Sequence, residues 1–172
     1  AMLVLAIDTS MDACSAALFD AGRGAVLAEA CEEMERGHAE RLAPMIAEVM
    51  AAGGAAFKDL ARIMVTRGPG TFTGLRIGLA MARGLGASLG LPVVAINSLA
   101  AIAAGAEPNA ACGVAVSARN GEIYFAAYDA GRGEIVPPRL TRAAVAAKLL
   151  PQDCLILGSG ADAEDFAALA RI

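Results

Sequence analysis

The chain alternates between two hydrophobic periods. Residues 3–8 form a short apolar run of buried-strand type that ends in the turn-prone Asp8-Thr9-Ser10. Residues 14–20 and 25–32 read as two further strands, joined by Ala21-Gly22-Arg23-Gly24, whose glycines suit a tight hairpin. From residue 38 to 52 the spacing becomes helical, with Leu42, Ile46 and Val49 in one stripe that Met45 and Met50 widen. Residues 62–66 read as a fourth strand. The loop Gly68-Pro69-Gly70-Thr71-Phe72-Thr73 and a helix over 74–89 follow it. Residues 92–96 are a fifth strand, and Ser98 is placed to cap a helix running to residue 104. The uncharged stretch 84–105 is long enough to cross a bilayer, but Gly86, Gly90, Pro92, Asn97 and Ser98 interrupt it, so it reads as helix, strand, helix.

Three meandering strands followed by helix, strand, helix, strand, helix is the order of a ribonuclease H-like lobe, the repeating unit of actin-like ATPases. The expected fold class is therefore α/β, with a mixed five-stranded sheet and flanking helices. Glu107-Pro108-Asn109 would separate this lobe, residues 1–106, from a second over 107–172. There, 113–117 and 122–129 read as strands of another hairpin. Thr141 opens a helix over 142–150, 154–157 is a strand and 162–172 a helix. This second lobe reads as shortened.

Hydrophobic residues make up 57% of the 172 and charged ones 19%, against about 45–50% and 25% in ordinary domains. Disorder is excluded, and apolar surface is expected to be left over, although alanine supplies much of the excess. Eighteen acidic and fourteen basic residues leave a net charge of −4, which argues against unaided binding of nucleic acid. Cys14, Cys31, Cys112 and Cys154 are scattered, without a C-x-x-C pair, and fit the reduced thiols of a cytoplasmic protein. Met2 to Ile7 has no basic leader and meets Asp8 at once, so a strand is expected there rather than a signal peptide; Ala1 reads as a cloning remnant.

The loop from Gly68 to Gly78 follows a strand and opens a helix, so its free amides could hold an anion. It lacks the Gly-Lys-Ser/Thr ending of a Walker loop and the spacing of a dinucleotide fingerprint. Two readings stand: a phosphate loop formed by Asp8, Thr9, Ser10, Gly68, Gly70 and Thr71, or a tight turn whose glycines serve geometry only. The helix after it carries Gly74, Gly78, Ala82, Gly86 and Gly90 at every fourth position. Interior glycine costs about 1 kcal/mol relative to alanine, so close approach by another backbone is expected, either this chain's own sheet or a partner. Leu75, Ile77, Leu79, Met81, Leu85 and Leu89 occupy the other sides, which makes the helix apolar nearly all round. The first helix has only Glu40, Arg41 and Glu48 as charges after His38. A partner surface is therefore expected over Leu42, Met45, Ile46, Val49, Leu75, Arg76, Ile77, Gly78, Met81, Ala82 and Leu85.

Catalytic candidates are few. His38 is the sole histidine, which rules out a multi-histidine metal site; it reads as a cap or polar contact, or as one half of a pair with Glu40. Asp8 stands where an actin-like ATPase anchors its metal, but Ser10 replaces the usual glycine, and the matching position in the second lobe is Ser117. No catalytic or metal-binding residue is assigned. An ATPase or phosphotransferase using Asp8 and the Gly68 loop remains the rival. A metallopeptidase is disfavoured by the lone histidine and the absence of an H-E-x-x-H spacing.

Across about three-quarters of its length the chain resembles the TsaB (YeaZ) family, which serves threonylcarbamoyladenosine formation in tRNA. The matching segments are Leu3-Val4-Leu5-Ala6-Ile7-Asp8-Thr9-Ser10, His38-Ala39-Glu40-Arg41-Leu42, the loop from Gly68 to Gly78, Pro92-Val93-Val94-Ala95-Ile96-Asn97-Ser98-Leu99, and Ala118-Arg119-Asn120-Gly121-Glu122-Ile123-Tyr124. The resemblance implies a two-lobed actin-like fold and a non-catalytic scaffold, a degenerate relative of the transferase TsaD. Where TsaD carries two metal-binding histidines, Ser98 and Ile102 stand here. It further implies pairing with TsaD through the helices over 38–52 and 74–89, with a second copy when alone, and with TsaE joining the assembly. tRNA would be met only through the complex, no cofactor would bind the lone chain, and ATP or ADP would be confined to the heteromeric interface. Family members usually continue past the position of Ile172, so the last elements of the second lobe are expected to be missing.

Overall fold

In the first of the two units, strand alternation and helical stripe meet as the hydrophobic pattern requires. β1 (Leu3–Asp8) turns Leu3, Leu5 and Ile7 to one face, and β2 (Ala13–Asp20) turns Cys14, Ala16 and Leu18 to the same face. Leu42, Met45, Ile46, Val49 and Met50 of α1 (His38–Ala52) cover them. β2 and β3 (Ala25–Glu33) pair antiparallel, and the Asp20 carboxylate closes their turn by accepting the Gly22 amide at 2.9 Å. β4 (Leu60–Thr66), α2 (Phe72–Leu89) and β5 (Val93–Ile96) complete a sheet of order β3-β2-β1-β4-β5, in which β1, β4 and β5 run parallel. β3 forms one rim and is exposed along most of its length. Arg41 of α1 ties it down, donating to Glu32 at 2.5 Å and to Glu48 at 2.8 Å. The computed structural model describes residues 2–107, 109–151, 153–167 and 170–171.

The helix ends follow local chemistry. The Thr71 hydroxyl caps α2 by accepting the Gly74 amide at 3.3 Å, which starts the helix at Phe72, two residues before the expected start. Gly90 ends it in the left-handed region at φ 67°. The stretch 84–105 contains the end of α2, β5 and α3 (Ser98–Ala104), and among the described residues no helix is long and apolar enough to cross a membrane.

The second unit begins at Leu99. Within it the Arg132 guanidinium donates to the carbonyls of Ala106, Glu107 and Ala110 at 3.1, 2.9 and 2.8 Å. β6 (Cys112–Ser117) pairs with β7 (Ile123–Tyr128), and β7 with β8 (Glu134–Thr141), in a sheet of order β10-β9-β6-β7-β8. β8 was not expected; it carries Pro137 and Pro138, which are unusual inside a strand. They fall on a rim strand, in the irregularity between the Phe125–Arg139 and Ala127–Val136 pairs, where the ladder is already interrupted and prolines are tolerated. Thr141 ends β8 rather than opening a helix, and the helix expected over 142–150 shrinks to α4 (Ala143–Ala147). No helix spans 162–167 or 170–171 either. A short 3-10 turn, Glu164–Phe166, drives Phe166 into the core, where its ring stacks on Phe125 with centroids 6.5 Å apart. Then β10 (Ala170–Arg171) pairs parallel with β9 (Leu155–Leu157). Residues 168, 169 and 172 of that expected helix lie outside the described residues.

Candidate functional site

In parallel α/β sheets, ligands gather outside the carboxyl ends of the strands. Here the ends of β1 and β4 bring all six candidate loop residues together. Asp8 Oδ1 accepts the Ser10 amide at 2.8 Å and the Thr66 hydroxyl at 2.7 Å. The Thr71 amide donates to the Ser10 carbonyl at 2.7 Å, and the Ser98 amide donates to the Gly68 carbonyl at 2.9 Å. Thr9, 1% exposed, donates its hydroxyl to the Gly74 carbonyl at 2.7 Å. A Cβ on Gly70 would overlap the Ser10 carbonyl oxygen. The amides of Ser10, Thr71 and Gly74 are thus spent within the protein. These bonds close the two loops on each other.

The remaining polar candidates meet partners within the chain. His38, 7% exposed, contacts the Met11 carbonyl through Nε2 at 3.2 Å. Ser117 donates its amide and its hydroxyl to Ser159, each at 3.0 Å. Among the described residues no group of three or more His, Cys, Asp and Glu could hold a metal ion. Burial pushes the thiols of Cys14 and Cys112 up, and that of Cys154 to about 11. Hydrogen bonds from Arg41 hold Glu32 and Glu48 below the usual carboxylate range.

The expected partner surface needs correcting. Leu42, Met45, Ile46 and Val49 are at most 2% exposed and form the core of the first unit, so they are not available to a partner. Gly78 and Ala82 are buried as well. The glycines admit this chain's own backbone: a Cβ on Gly74 would overlap the Thr9 carbonyl oxygen, and one on Gly86 would lie 3.1 Å from the Leu91 carbonyl oxygen. Ile77, Met81 and Leu85 are half-buried against the same core, and Leu75 lies against the Gly68 loop. Of the expected residues only Arg76 is exposed.

The outward face of α2 is instead Phe72, Arg76, Ala80, Arg83, Gly84 and Ala87. Phe72 is 75% exposed, and the Arg76 guanidinium carbon lies 5.3 Å from the centre of its ring. Phe72 and Arg83 escaped sequence reasoning. Placing the helix start at 74 left Phe72 in the loop, and attention to the large aliphatic residues passed over Arg83. A helical projection opposite Gly74, Gly78 and Ala82 would have found both.

The family model described as "TsaD: tRNA N6-adenosine threonylcarbamoyltransferase" matches residues 16–158. The Escherichia coli "tRNA threonylcarbamoyladenosine biosynthesis protein TsaB" is 39% identical over 130 residues, covering 74% of this chain and 55% of that protein. This chain spans little more than half the length of the curated relatives it matches. A crystal structure of a Pseudomonas aeruginosa protein described as similar to peptidase YeaZ superposes with TM-score 0.85 at 30% identity, covering 96% of this chain and 80% of that one. The ethanolamine utilization protein EutJ of Carboxydothermus hydrogenoformans shares the fold, with TM-score 0.56 at 13% identity over 99% of this chain and 85% of its own.

Proposed function

The chain belongs to the TsaB (YeaZ) family, and from that premise we propose that it acts in tRNA threonylcarbamoyladenosine biosynthesis as a non-catalytic subunit that docks a TsaD-type transferase through the outward face of α2. The threonylcarbamoyl group is transferred on the partner, tRNA is met through the complex, and the ATPase TsaE joins the same assembly. The observation that carries the docking reading is Phe72, a large ring 75% exposed on a helix that has no Asp or Glu. Large aromatic and arginine side chains are the usual anchors of interfaces. Arg76 lies over the ring and Arg83 stands exposed about three turns further along the same face, while Ala80, Gly84 and Ala87 leave room for another backbone to approach. The closed loops at Asp8 and Gly68 support a role without phosphoryl chemistry in this unit.

Titration calorimetry against the recombinant TsaD-type transferase tests the reading. Phe72→Ser and Arg83→Glu should each weaken association about tenfold or more, while Arg23→Gln, on the exposed β2–β3 turn, should leave it unchanged. Association by both α2 variants at wild-type strength, or none by the wild type, would overturn it. These sites are preferable to Ile77 or Met81, where a carboxylate would also disturb the core of the chain itself.

A further inference from the structure

The bonds at the carboxyl end of β1 converge on one side chain. Thr9 sits directly after β1 and is held there because Asp8 Oδ1 accepts both the following amide, Ser10, and the Thr66 hydroxyl of β4. Its own hydroxyl crosses 65 residues of sequence to the Gly74 carbonyl, in the first turn of α2. One turn later a Cβ on Gly78 would lie 2.5 Å from Thr9 Oγ1 and 3.8 Å from Thr9 Cβ. Both of the first two turns of α2 therefore meet Thr9, with Val65 of β4 beside it under Gly78, on the side opposite Phe72 and Arg76. Gly74 and Gly78 give these turns little stiffness of their own, so their position must come from what they rest on.

We propose that Thr9 is a positioning residue that fixes the start of α2 in the orientation its docking face requires. The strand-end loop that resembles a phosphate loop thereby acts as a strut between sheet and helix. This inference rests on the docking reading above.

Thr9→Val keeps the shape and removes the donor, whereas Thr9→Ser keeps the donor. Two measurements apply: amide hydrogen exchange across residues 72–80 of the free chain, and the dissociation constant for the recombinant TsaD-type transferase. Thr9→Val should speed exchange in the first two turns of α2 while leaving the β2–β3 hairpin unchanged, and should weaken binding about three- to tenfold, the worth of one buried hydrogen bond. Thr9→Ser should restore both. Gly78→Ala, which presses on Thr9 Oγ1 from the helix side, should weaken binding likewise and carries the test if Thr9→Val does not fold. Wild-type binding and exchange in Thr9→Val, or failure of Thr9→Ser to rescue, overturns the role of Thr9 alone. Absence of binding by the wild type overturns the docking reading and this role with it.

Discussion

Two glycines of α2, ten residues apart, should respond in opposite directions to the same added methyl. At Gly84 a Cβ would meet nothing within 4 Å, so Gly84→Ala recovers helix propensity and stabilises the chain by about 1 kcal/mol, or about 3 °C for a chain of this size. Gly74→Ala recovers the same propensity but drives its Cβ into the Thr9 carbonyl oxygen and to 2.6 Å from Thr71 Oγ1. Overpacking against backbone costs about 1–3 kcal/mol. The shift also loosens the Thr9–Gly74 bond, worth about 1 kcal/mol, and the Thr71 cap, worth about as much again. The net is a loss of about 2–4 kcal/mol, or about 6–12 °C. Urea unfolding followed by circular dichroism at constant m reads both changes as shifts in midpoint. Equal shifts for the two variants, or a Gly74→Ala protein as stable as wild type, would refute the seating of α2 on β1.

Other outcomes follow from the cysteines and from Arg41. In the native chain iodoacetamide should alkylate the exposed Cys31 alone, because Cys14, Cys112 and Cys154 are buried with raised pKa values. Mass spectrometry of tryptic peptides checks this, and labelling of Cys154 at the rate of Cys31 would contradict it. Arg41→Met should flatten the acid limb of stability. Glu32 and Glu48 are held below their ordinary 4.5 in the folded chain, so their contribution is complete above that value and drains away as pH falls through the lowered ones. Unfolding midpoints of wild type and variant should converge in acid, and a constant gap would argue against the Arg41 pairs.

Periodicity made the first unit legible nearly residue by residue, since strands buried on one face and helices with a broad stripe leave strong signals. The second unit hid β8 behind Pro137 and Pro138, whose meaning depends on lying at a rim, and position within a sheet is not a local property. The proposed docking face was harder still. Leu42 and Met45 look the same in sequence whether the cover is this chain or another, and only the packed α1 shows that the sheet suffices. The glycine row posed the same question, and the Thr9 backbone supplied the answer. Phe72 was lost to a boundary two residues wide, set by the Thr71 cap.

The rim strand β3 has a consequence for how the molecule keeps to itself. Nine extended residues with backbone groups facing outward are a template on which identical chains can stack into fibrils. Glu29 and Glu33 stand exposed along that border on either side of the Arg41-paired Glu32, and an incoming copy would bring the same two carboxylates against them. Mutual repulsion thus guards the margin of the sheet.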